Sequence, residues 1–176
     1  MKITNVRATP VNIPFKAPYR YALGSTASLT KTVVEVETDE GVTGLGEYAS
    51  GDGTHVIERL GQRLVGLDPL DLNECERRCV PDVSFNLWEH LEEARRGFGA
   101  IEMALWDLRG RAEGRSLATL LGGAVRTHVP FTEYFAYRVE ANGVGGESSP
   151  LAIARYCERM VEQYDAPSFE GKVATV

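Results

Sequence analysis

Alternating polar and apolar residues predict that the chain begins with a small sheet. Residues 2–13 are rich in β-branched side chains and predict a strand that ends at Pro14. Residues 32–38 alternate strictly between the two kinds of side chain, which is typical of a half-buried strand. The sequence Asp-Glu-Gly at 39–41 predicts a tight turn, and 42–47 returns as a partner strand. The pattern therefore indicates an antiparallel three-stranded meander.

Residues 15–30 separate the first two predicted strands and show no clear period. Pro18, Gly24 and several small or hydroxyl side chains interrupt the segment. We therefore expect a long loop, and long loops within compact domains are usually functional lids or disordered.

Apolar residues then recur every three or four positions, which predicts helices. One helix is expected from Thr54 to Gly66, and a second from Asp68 to Arg78, opened by a cap and a proline. The strongest pattern covers 94–113, and a brief helix follows at 116–121. The long helix has an apolar stripe whose glycine and alanine residues allow close packing: Gly97, Ala100, Ile101, Ala104, Leu105 and Leu108.

The last part of the chain changes to a strand, helix and strand order. Residues 128–137 have strand composition, 150–164 are helical in pattern, and 168–173 form a second apolar run. A strand, a helix and a strand in this order predict parallel pairing.

Composition and charge narrow the classes of function. The 176 residues are 43% hydrophobic and carry a formal charge of −6, an acidic balance that disfavours nucleic acid as a partner. No apolar run is long enough to predict a membrane helix, and no apolar leader follows Met1. Cys75, Cys79 and Cys157 lack the spacing of a metal site, so we expect reduced, packed thiols and a cytoplasmic location.

Three motifs carry a resemblance to a known family. They are VTGLGE at 42–47, GAIEMALWDL at 99–108 and GRSLATLLGG at 114–123. In this order and spacing they resemble the capping domain of the enolase superfamily, of the mandelate racemase and muconate lactonizing enzyme type. The resemblance implies an α+β capping domain at 1–127, followed at 128–176 by the first strands of an incomplete (β/α) barrel.

The resemblance also implies a class of reaction. The aromatic run FTEYFAY at 131–137 resembles the first barrel strand of acid-sugar dehydratases of the glucarate and galactarate type. Such enzymes remove the proton beside a carboxylate and stabilise the enediolate on Mg²⁺, whose charge neutralises the intermediate. Racemases, epimerases and lactonizing cycloisomerases of the same superfamily remain alternatives.

One residue falls on the position of the family's base. The family uses the second Lys of a Lys-x-Lys motif, and here the matching residues are Glu170 and Lys172. A carboxylate close to Lys172 would favour its ammonium form, which opposes a lowered lysine pKa. Three interpretations stay open: a subgroup with different tuning, a proton relay through Glu170, or a lost activity. In the alternative interpretation Lys172 has no catalytic role and is a surface lysine at the end of a strand.

The remaining candidate residues are expected to bind substrate. The segment 15–30 resembles the family's lid, in which Arg20 would pair with a distal carboxylate, and Ser25 and Thr26 would meet sugar hydroxyls. Tyr134 would donate to substrate from a barrel strand, where the active sites of such folds lie. Two of these residues have a simpler interpretation. Arg20 would then be a solvated charge, and Tyr134 would be a core residue.

The family's metal ligands lie on later barrel strands than this sequence contains. Between His128 and Val176 there is room for two strands and one helix, so we expect Mg²⁺ to have no ligands here and this fragment to be inactive alone. The complete enzyme would bind a small carboxylate, with a homo-oligomer as an open option. An alternative of another class is a non-catalytic cap module that folds or oligomerises by itself.

Overall fold

The computed structural model describes residues 1–21, 23–81 and 88–172. In chain order its elements are β1 (Ile3–Tyr21), β2 (Gly24–Thr38), β3 (Thr43–Tyr48), α1 (Thr54–Gly61), α2 (Leu72–Cys79), α3 (Trp88–Glu113), α4 (Leu117–Leu120), β4 (Glu133–Ala136), α5 (Pro150–Tyr164) and β5 (Phe169–Lys172). The order confirms the α+β architecture, with a three-stranded sheet and helices before a pair of parallel strands. Within the described ranges, no helix combines the length and apolar character needed to cross a membrane.

The first sheet has the order β1-β2-β3, as the alternating pattern predicts. Strand β2 pairs with β3 in antiparallel register, with Val34 opposite Gly46 and Val36 opposite Gly44. The turn between them contains Gly41 at a φ of 77°, a left-handed conformation that glycine adopts without steric cost.

The prediction of a loop at 15–30 is wrong, because β1 continues to Tyr21 and β2 begins at Gly24. The prolines do not break β1, because it is an edge strand. Arg20 donates its backbone N–H to the carbonyl of Tyr137, away from β2. Pro18 is two residues earlier, so its missing N–H would have pointed to the same outer side and costs no bond to β2.

Strand β3 lies directly against α3, and two glycines make this approach possible. A β-carbon built on Gly46 would lie 2.2 Å from the carbonyl oxygen of Ala100, and one on Gly44 would lie 2.0 Å from that of Ala104. No side chain fits at either distance. The glycines of the 42–47 motif and the small residues of the 99–108 motif therefore form the two sides of one contact.

The boundaries of the first two helices differ from the sequence prediction. Helix α1 ends at Gly61, and its cap is Gly53 without a side-chain hydrogen bond, so Thr54 does not act as a cap. Helix α2 begins after Asp71, whose carboxylate accepts the backbone N–H of Glu74 at 3.1 Å. Asp68 instead accepts the N–H of Leu70 and closes a preceding turn.

The chain divides into two compact units, and each is described by itself. The first unit contains residues 1–12 and 30–124, and the second contains 13–29 and 125–176. The first unit has an aliphatic core of residues that are at most 1% exposed, among them Ile3, Val34, Val36, Val56, Ile57, Leu60, Leu64, Ile101, Leu105 and Leu108.

Two of the three free cysteines belong to that core. Cys75 and Cys79 are fully buried, whereas Cys157 is half-buried. Burial raises the pKa of Cys75 to about 11 and that of Cys79 to about 12, so both stay protonated near neutral pH. They are packed thiols of low reactivity.

The second unit contains the strand, helix and strand of the predicted βαβ order. Strand β4 pairs with β5 in parallel, which confirms the predicted pairing. Helix α5 begins and ends where the pattern places it, with Ser149 accepting the N–H of Ala152 as its cap. The strand expected at 128–137 is shorter and covers only Glu133–Ala136.

Candidate functional site

The two faces of the β4–β5 pair have different surroundings. On one face, the Tyr156 hydroxyl of α5 donates to Glu133 Oε1 at 2.5 Å. The Phe135 ring lies on the same face, so close to Gly171 that a β-carbon there would approach the ring to 2.1 Å. Because side chains alternate along a strand, Tyr134 lies on the opposite face from α5. Glu170 is its direct partner in the strand register.

The tip of the β1–β2 hairpin is bonded to the chain that follows β4. Arg20 donates its N–H to the Tyr137 carbonyl at 3.1 Å, and Val139 donates to the Pro18 carbonyl at 3.0 Å. The hydroxyl groups of Tyr19 and Tyr134 form a third bond at 3.1 Å. These bonds hold the hairpin tip beside the face of β4 that carries Tyr134.

A cavity of about 660 Å³ lies between the hairpin tip and β4, entirely within the second unit. We call it the hairpin cavity. Its apolar and aromatic walls are Phe15, Ala17, Tyr19, Tyr21, Leu29 and Tyr134. Its polar walls are Lys16, Thr26 and Arg138. The Tyr19 and Tyr21 rings are stacked, with centroids 6.1 Å apart.

Arg138 is held in this wall by a buried carboxylate. Its Nε and Nη2 atoms donate to Glu147 at 3.0 and 2.9 Å, and Arg159 adds a third contact at 3.3 Å. Both guanidinium groups also lie over the Tyr156 ring, 4.7 and 5.7 Å from its centroid. Burial alone would raise the pKa of Glu147, but its bonds with Arg138 and the backbone outweigh burial and lower it. The carboxylate is therefore ionised and fixes the orientation of Arg138.

Tyr134 remains a neutral hydroxyl over the physiological range. The hydrogen bond with Tyr19, together with partial desolvation and the negative charge of Glu170, raises the pKa of Tyr134 to about 12. A neutral phenol in a cavity wall can donate to or accept from a ligand.

The four residues predicted for the site are not all in this wall. Tyr134 lines the cavity, whereas Arg20 and Ser25 are exposed and lie outside the wall. Arg20 alternates with Tyr19 and Tyr21, so its side chain is directed to the other face of β1. Lys172 pairs through its backbone with Ala136, and its side chain lies outside the described part of the structure. Thr26, expected beside Ser25, does line the cavity.

Sequence reasoning missed Tyr19, Tyr21, Lys16 and Arg138 as wall residues. A usable signal was present, because apolar residues alternate at positions 15, 17, 19 and 21. Such alternation predicts a strand with an aromatic face. The role of Arg138 had no comparable signal, since it depends on Glu147, which lies nine positions later in the chain.

The described residues do not offer a ligand set for Mg²⁺. In 1–21, 23–81 and 88–172, no three His, Cys, Asp or Glu side chains come together in a way that could hold a metal ion. The donor set of the hairpin cavity is also unsuitable, since it consists of phenols, a hydroxyl and two cations, whereas Mg²⁺ prefers carboxylate and carbonyl oxygens.

Comparison with known proteins shows which chains share this architecture. The chain is 34% identical over 142 residues to cis-3-hydroxy-L-proline dehydratase of Roseibium aggregatum, covering 73% of this chain and 36% of that protein. It is 34% identical over 152 residues to D-xylonate dehydratase of Haloferax volcanii, covering 78% and 32%. Further relatives include epimerases and cycloisomerases. The chain thus spans about a third of the length of these two dehydratases.

A solved structure extends the similarity to nearly the whole chain. An enolase from Thermobispora bispora, complexed with magnesium and formate, is 31% identical with a TM-score of 0.81, and the match covers 98% of this chain and 45% of that one. The family model for the mandelate racemase / muconate lactonizing enzyme N-terminal domain matches residues 3–122. The chain therefore belongs to the mandelate racemase / muconate lactonizing enzyme family, with residues 3–122 matching that family's N-terminal domain.

Proposed function

We propose that this chain is part of a dehydratase that removes the proton beside the carboxylate of a hydroxy acid, with acid sugars as the first substrates to test. The observation that carries the proposal is the hairpin cavity, which places Tyr134 and two cations beside a strand pair that ends at Lys172. The dehydratases among the relatives support this class of reaction.

Lys172 is the proposed base. In neutral form it accepts the proton from the carbon beside the substrate carboxylate. The hydroxyl group on the next carbon then takes a proton from the ammonium group of Lys172 and leaves as water, and the resulting enol tautomerises to a 2-keto acid. Glu170, two residues earlier on β5, favours the ammonium form of Lys172 and thereby shifts activity to higher pH.

Tyr134, Arg20 and Ser25 are the proposed substrate-binding residues. Tyr134 is the one in the cavity wall, where its neutral hydroxyl can meet a substrate oxygen. Arg20 and Ser25 lie on the exposed side of the hairpin, so their role depends on a substrate that reaches around its tip.

Mg²⁺ is the proposed cofactor. A relative was solved with magnesium and formate, and a divalent ion stabilises the charge that develops on a carboxylate when the neighbouring proton leaves. Its ligands would come from residues other than those described.

The reaction is tested with the protein expressed from the complete reading frame that contains this chain. Galactonate, xylonate and related acids are incubated with Mg²⁺ in D₂O. Deuterium uptake beside the carboxylate is followed by NMR, and 2-keto acid formation is followed by a carbonyl reagent. We expect both signals for at least one acid, and a loss of both of at least about a hundredfold in Lys172→Met, the low end of what a general base contributes.

The matched control is Lys31→Met, which removes a lysine that pairs with Glu47 in the first unit. Its activity should equal that of the unmodified protein. Deuterium uptake with an epimer or a lactone as product, and no keto acid, would replace the dehydratase proposal by an epimerase or a cycloisomerase. Full activity in Lys172→Met would remove Lys172 as the base.

An apolar surface in the first unit supports a second candidate, an oligomerising cap module. A cavity of about 540 Å³ between β3, α3 and α4 is lined by Leu45, Met103 and Leu121, which are 45%, 47% and 69% exposed. Exposed apolar patches of this kind often mark interfaces. Analytical ultracentrifugation of the chain and of Leu121→Ser tests this candidate. We expect an oligomer that Leu121→Ser weakens, and a monomer in both samples would exclude the candidate.

A further inference from the structure

The exposed side of α3 contains a glycine that packing within the described chain does not explain. The other two glycines of α3 have close neighbours: a β-carbon on Gly97 would lie 2.8 Å from Leu60 Cδ1, and one on Gly110 would lie 2.9 Å from the Arg115 carbonyl oxygen. Within the described ranges, nothing lies within 4 Å of a β-carbon built on Gly99. Because glycine in the middle of a helix is destabilising relative to alanine, Gly99 indicates the close approach of another molecule.

Gly99 belongs to a regular stripe on this side of the helix. Arg96, Gly99, Met103 and Asp107 follow one another at intervals of three, four and four residues, so they lie on one face. We call these four residues the α3 face. Met103 is 47% exposed, and together with Asp107 it also lines the apolar cavity of the first unit. The face therefore continues into an exposed apolar surface.

The two charged residues of the α3 face keep atoms that can form further bonds. Arg96 donates to Glu92 through Nε at 3.0 Å, and its two Nη groups can still donate. Asp107 accepts from the Leu45 N–H and from Arg111, both at 2.8 Å and both on Oδ2, so its Oδ1 can accept another bond. A guanidinium group and a carboxylate in this state are suited to a charged contact with a partner.

The order of these residues along α3 fits a second copy of the same helix. In a two-fold symmetric pair each contact occurs twice, with the two residues exchanged between the copies. When two α3 helices pack antiparallel about an axis midway between Arg96 and Asp107, Arg96 of each copy lies beside Asp107 of the other. The same axis places Met103 of one copy near Gly99 of the other, where the missing side chain gives it room.

We propose that the α3 face is the interface of a two-fold symmetric dimer of this chain, in which the two α3 helices pack antiparallel. The proposal rests on the second candidate function, the oligomerising module, to which it gives a partner and a geometry. It does not depend on the dehydratase reaction. A parallel pair would instead place Arg96 against Arg96 and Asp107 against Asp107, and the repulsion between like charges disfavours that arrangement.

Cross-linking measures the position of the two-fold axis. Met103→Cys and Glu92→Cys are each introduced into Cys157→Ser, because Cys75 and Cys79 are buried whereas Cys157 is only half-buried. Each variant is treated with a short bismaleimide. Along the helix axes, the two copies of position 103 lie roughly 5 Å apart in the proposed dimer, and those of position 92 lie roughly 28 Å apart. Met103→Cys should give a covalent dimer, and Glu92→Cys should give no more than Cys157→Ser alone.

Analytical ultracentrifugation of charge variants tests the ion pairs. Arg96→Glu places two carboxylates against each other twice in each dimer, so it should weaken dimerisation at least about a hundredfold. Arg95→Glu is the matched control, since it makes the same change of charge at an exposed position one residue away, on another side of α3. It should leave dimerisation unchanged.

A second substitution should reverse the effect of the first. Asp107→Asn, added to Arg96→Glu, removes the opposed charge and keeps an amide oxygen for the Leu45 N–H. The double variant should therefore dimerise at least about tenfold more tightly than Arg96→Glu alone. A general loss of stability caused by Arg96→Glu would not be reversed in this way.

The outcomes separate this geometry from the functions proposed above, provided that each variant keeps the circular dichroism spectrum of the parent. Equal weakening by Arg96→Glu and Arg95→Glu, or a cross-link at position 92 and none at 103, would overturn the proposal and leave the oligomerising module in place. A chain that stays monomeric would overturn both, and the α3 face would then belong to a different partner. Turnover of an acid by the complete protein bears only on the proposed reaction.

Discussion

The two units of the chain bury different kinds of side chain. In the first, Ile57, Leu60, Ile101 and Leu105 are at most 1% exposed, and they belong to one continuous aliphatic cluster. In the described part of the second unit the buried residues are few, with Ala17 and Ala136 at 5%, Glu147 at 4% and Tyr156 at 9%. One unit is thus held mainly by apolar burial, and the other by strand pairing and an ion-paired carboxylate.

This difference has physical consequences for stability and for function. Each fully buried aliphatic side chain contributes roughly 2 kcal/mol, and the first unit has many of them. A network of arginines around one glutamate contributes less net stability, because the desolvation of the buried charges offsets much of the attraction between them. The second unit is therefore expected to open more readily, and it is the unit that contains the hairpin cavity.

The largest effect is expected where β3 meets α3. Gly46→Ala places a methyl group against the backbone of Ala100, so it should destabilise the first unit by about 3 kcal/mol. Gly99→Ala is the matched control, since nothing lies within 4 Å of its added methyl group and it occupies the middle of α3. It should stabilise by about 1 kcal/mol, by helix propensity. Urea denaturation followed by tryptophan fluorescence measures both, and a neutral Gly46→Ala would contradict the packing described.

A smaller effect is expected from the buried carboxylate of the second unit. Glu147→Gln leaves Arg138 and Arg159 without their anion and should cost roughly 2 kcal/mol in the free energy of opening α5. Amide hydrogen exchange of α5 measures it. Glu158→Gln, an exposed change on the same helix, is the control. Equal exchange in the two variants would mean that the network does not stabilise the unit.

The same carboxylate should make the second unit acid-sensitive. The pKa of Glu147 is lowered from its ordinary value of 4.5, so the unfolded chain binds a proton more readily than the folded one. The stability from this pair is complete above pH 4.5 and is lost as the pH falls through the folded pKa. The protection factors of the α5 amides, with the intrinsic exchange rate divided out, should fall between pH 6 and 3 in the parent chain and not in Glu147→Gln. The same fall in both would assign the acid sensitivity elsewhere.

The smallest effect concerns the tyrosine pair of the hairpin cavity. Tyr19→Phe removes the hydrogen bond that contributes most to the raised pKa of Tyr134, which should fall from about 12 towards its ordinary value of 10.0. An ultraviolet titration of tyrosinate, with Tyr164→Phe as the control, follows the change. A pKa of about 12 that persists in Tyr19→Phe would attribute the shift to burial and Glu170.

The first unit was largely predictable from sequence because its elements follow simple periods. Val34 and Val36 mark the buried face of β2, and the recurring residues of 94–113 mark the buried face of α3, as the structure confirms. The capping residues were less predictable. Asp68 and Asp71 both precede α2, and only the chain geometry shows that Asp71 caps it.

The hairpin cavity was predictable only in part. The aromatic pattern of 131–137 indicates Tyr134, but Pro14 and Pro18 predict breaks, so the sequence favours a loop where the structure has the hairpin. Whether a proline is tolerated depends on which edge of a strand is free, and that is a tertiary property. Arg138 and Glu147 come together because the chain turns back between them, and no periodic pattern in the sequence predicts this contact.

The most direct test is the hydrogen exchange of the hairpin tip, because residues 13–29 belong to the second unit. Residue-resolved hydrogen exchange of the whole chain, with and without Glu147→Gln, compares the amides of Arg20 and Val139 with that of Val34. We predict that Arg20 and Val139 lose protection together with α5 in the variant, while Val34 keeps its own. Protection of Arg20 that follows Val34 and ignores Glu147→Gln would contradict the assignment, and with it the hairpin cavity as a site built by the second unit.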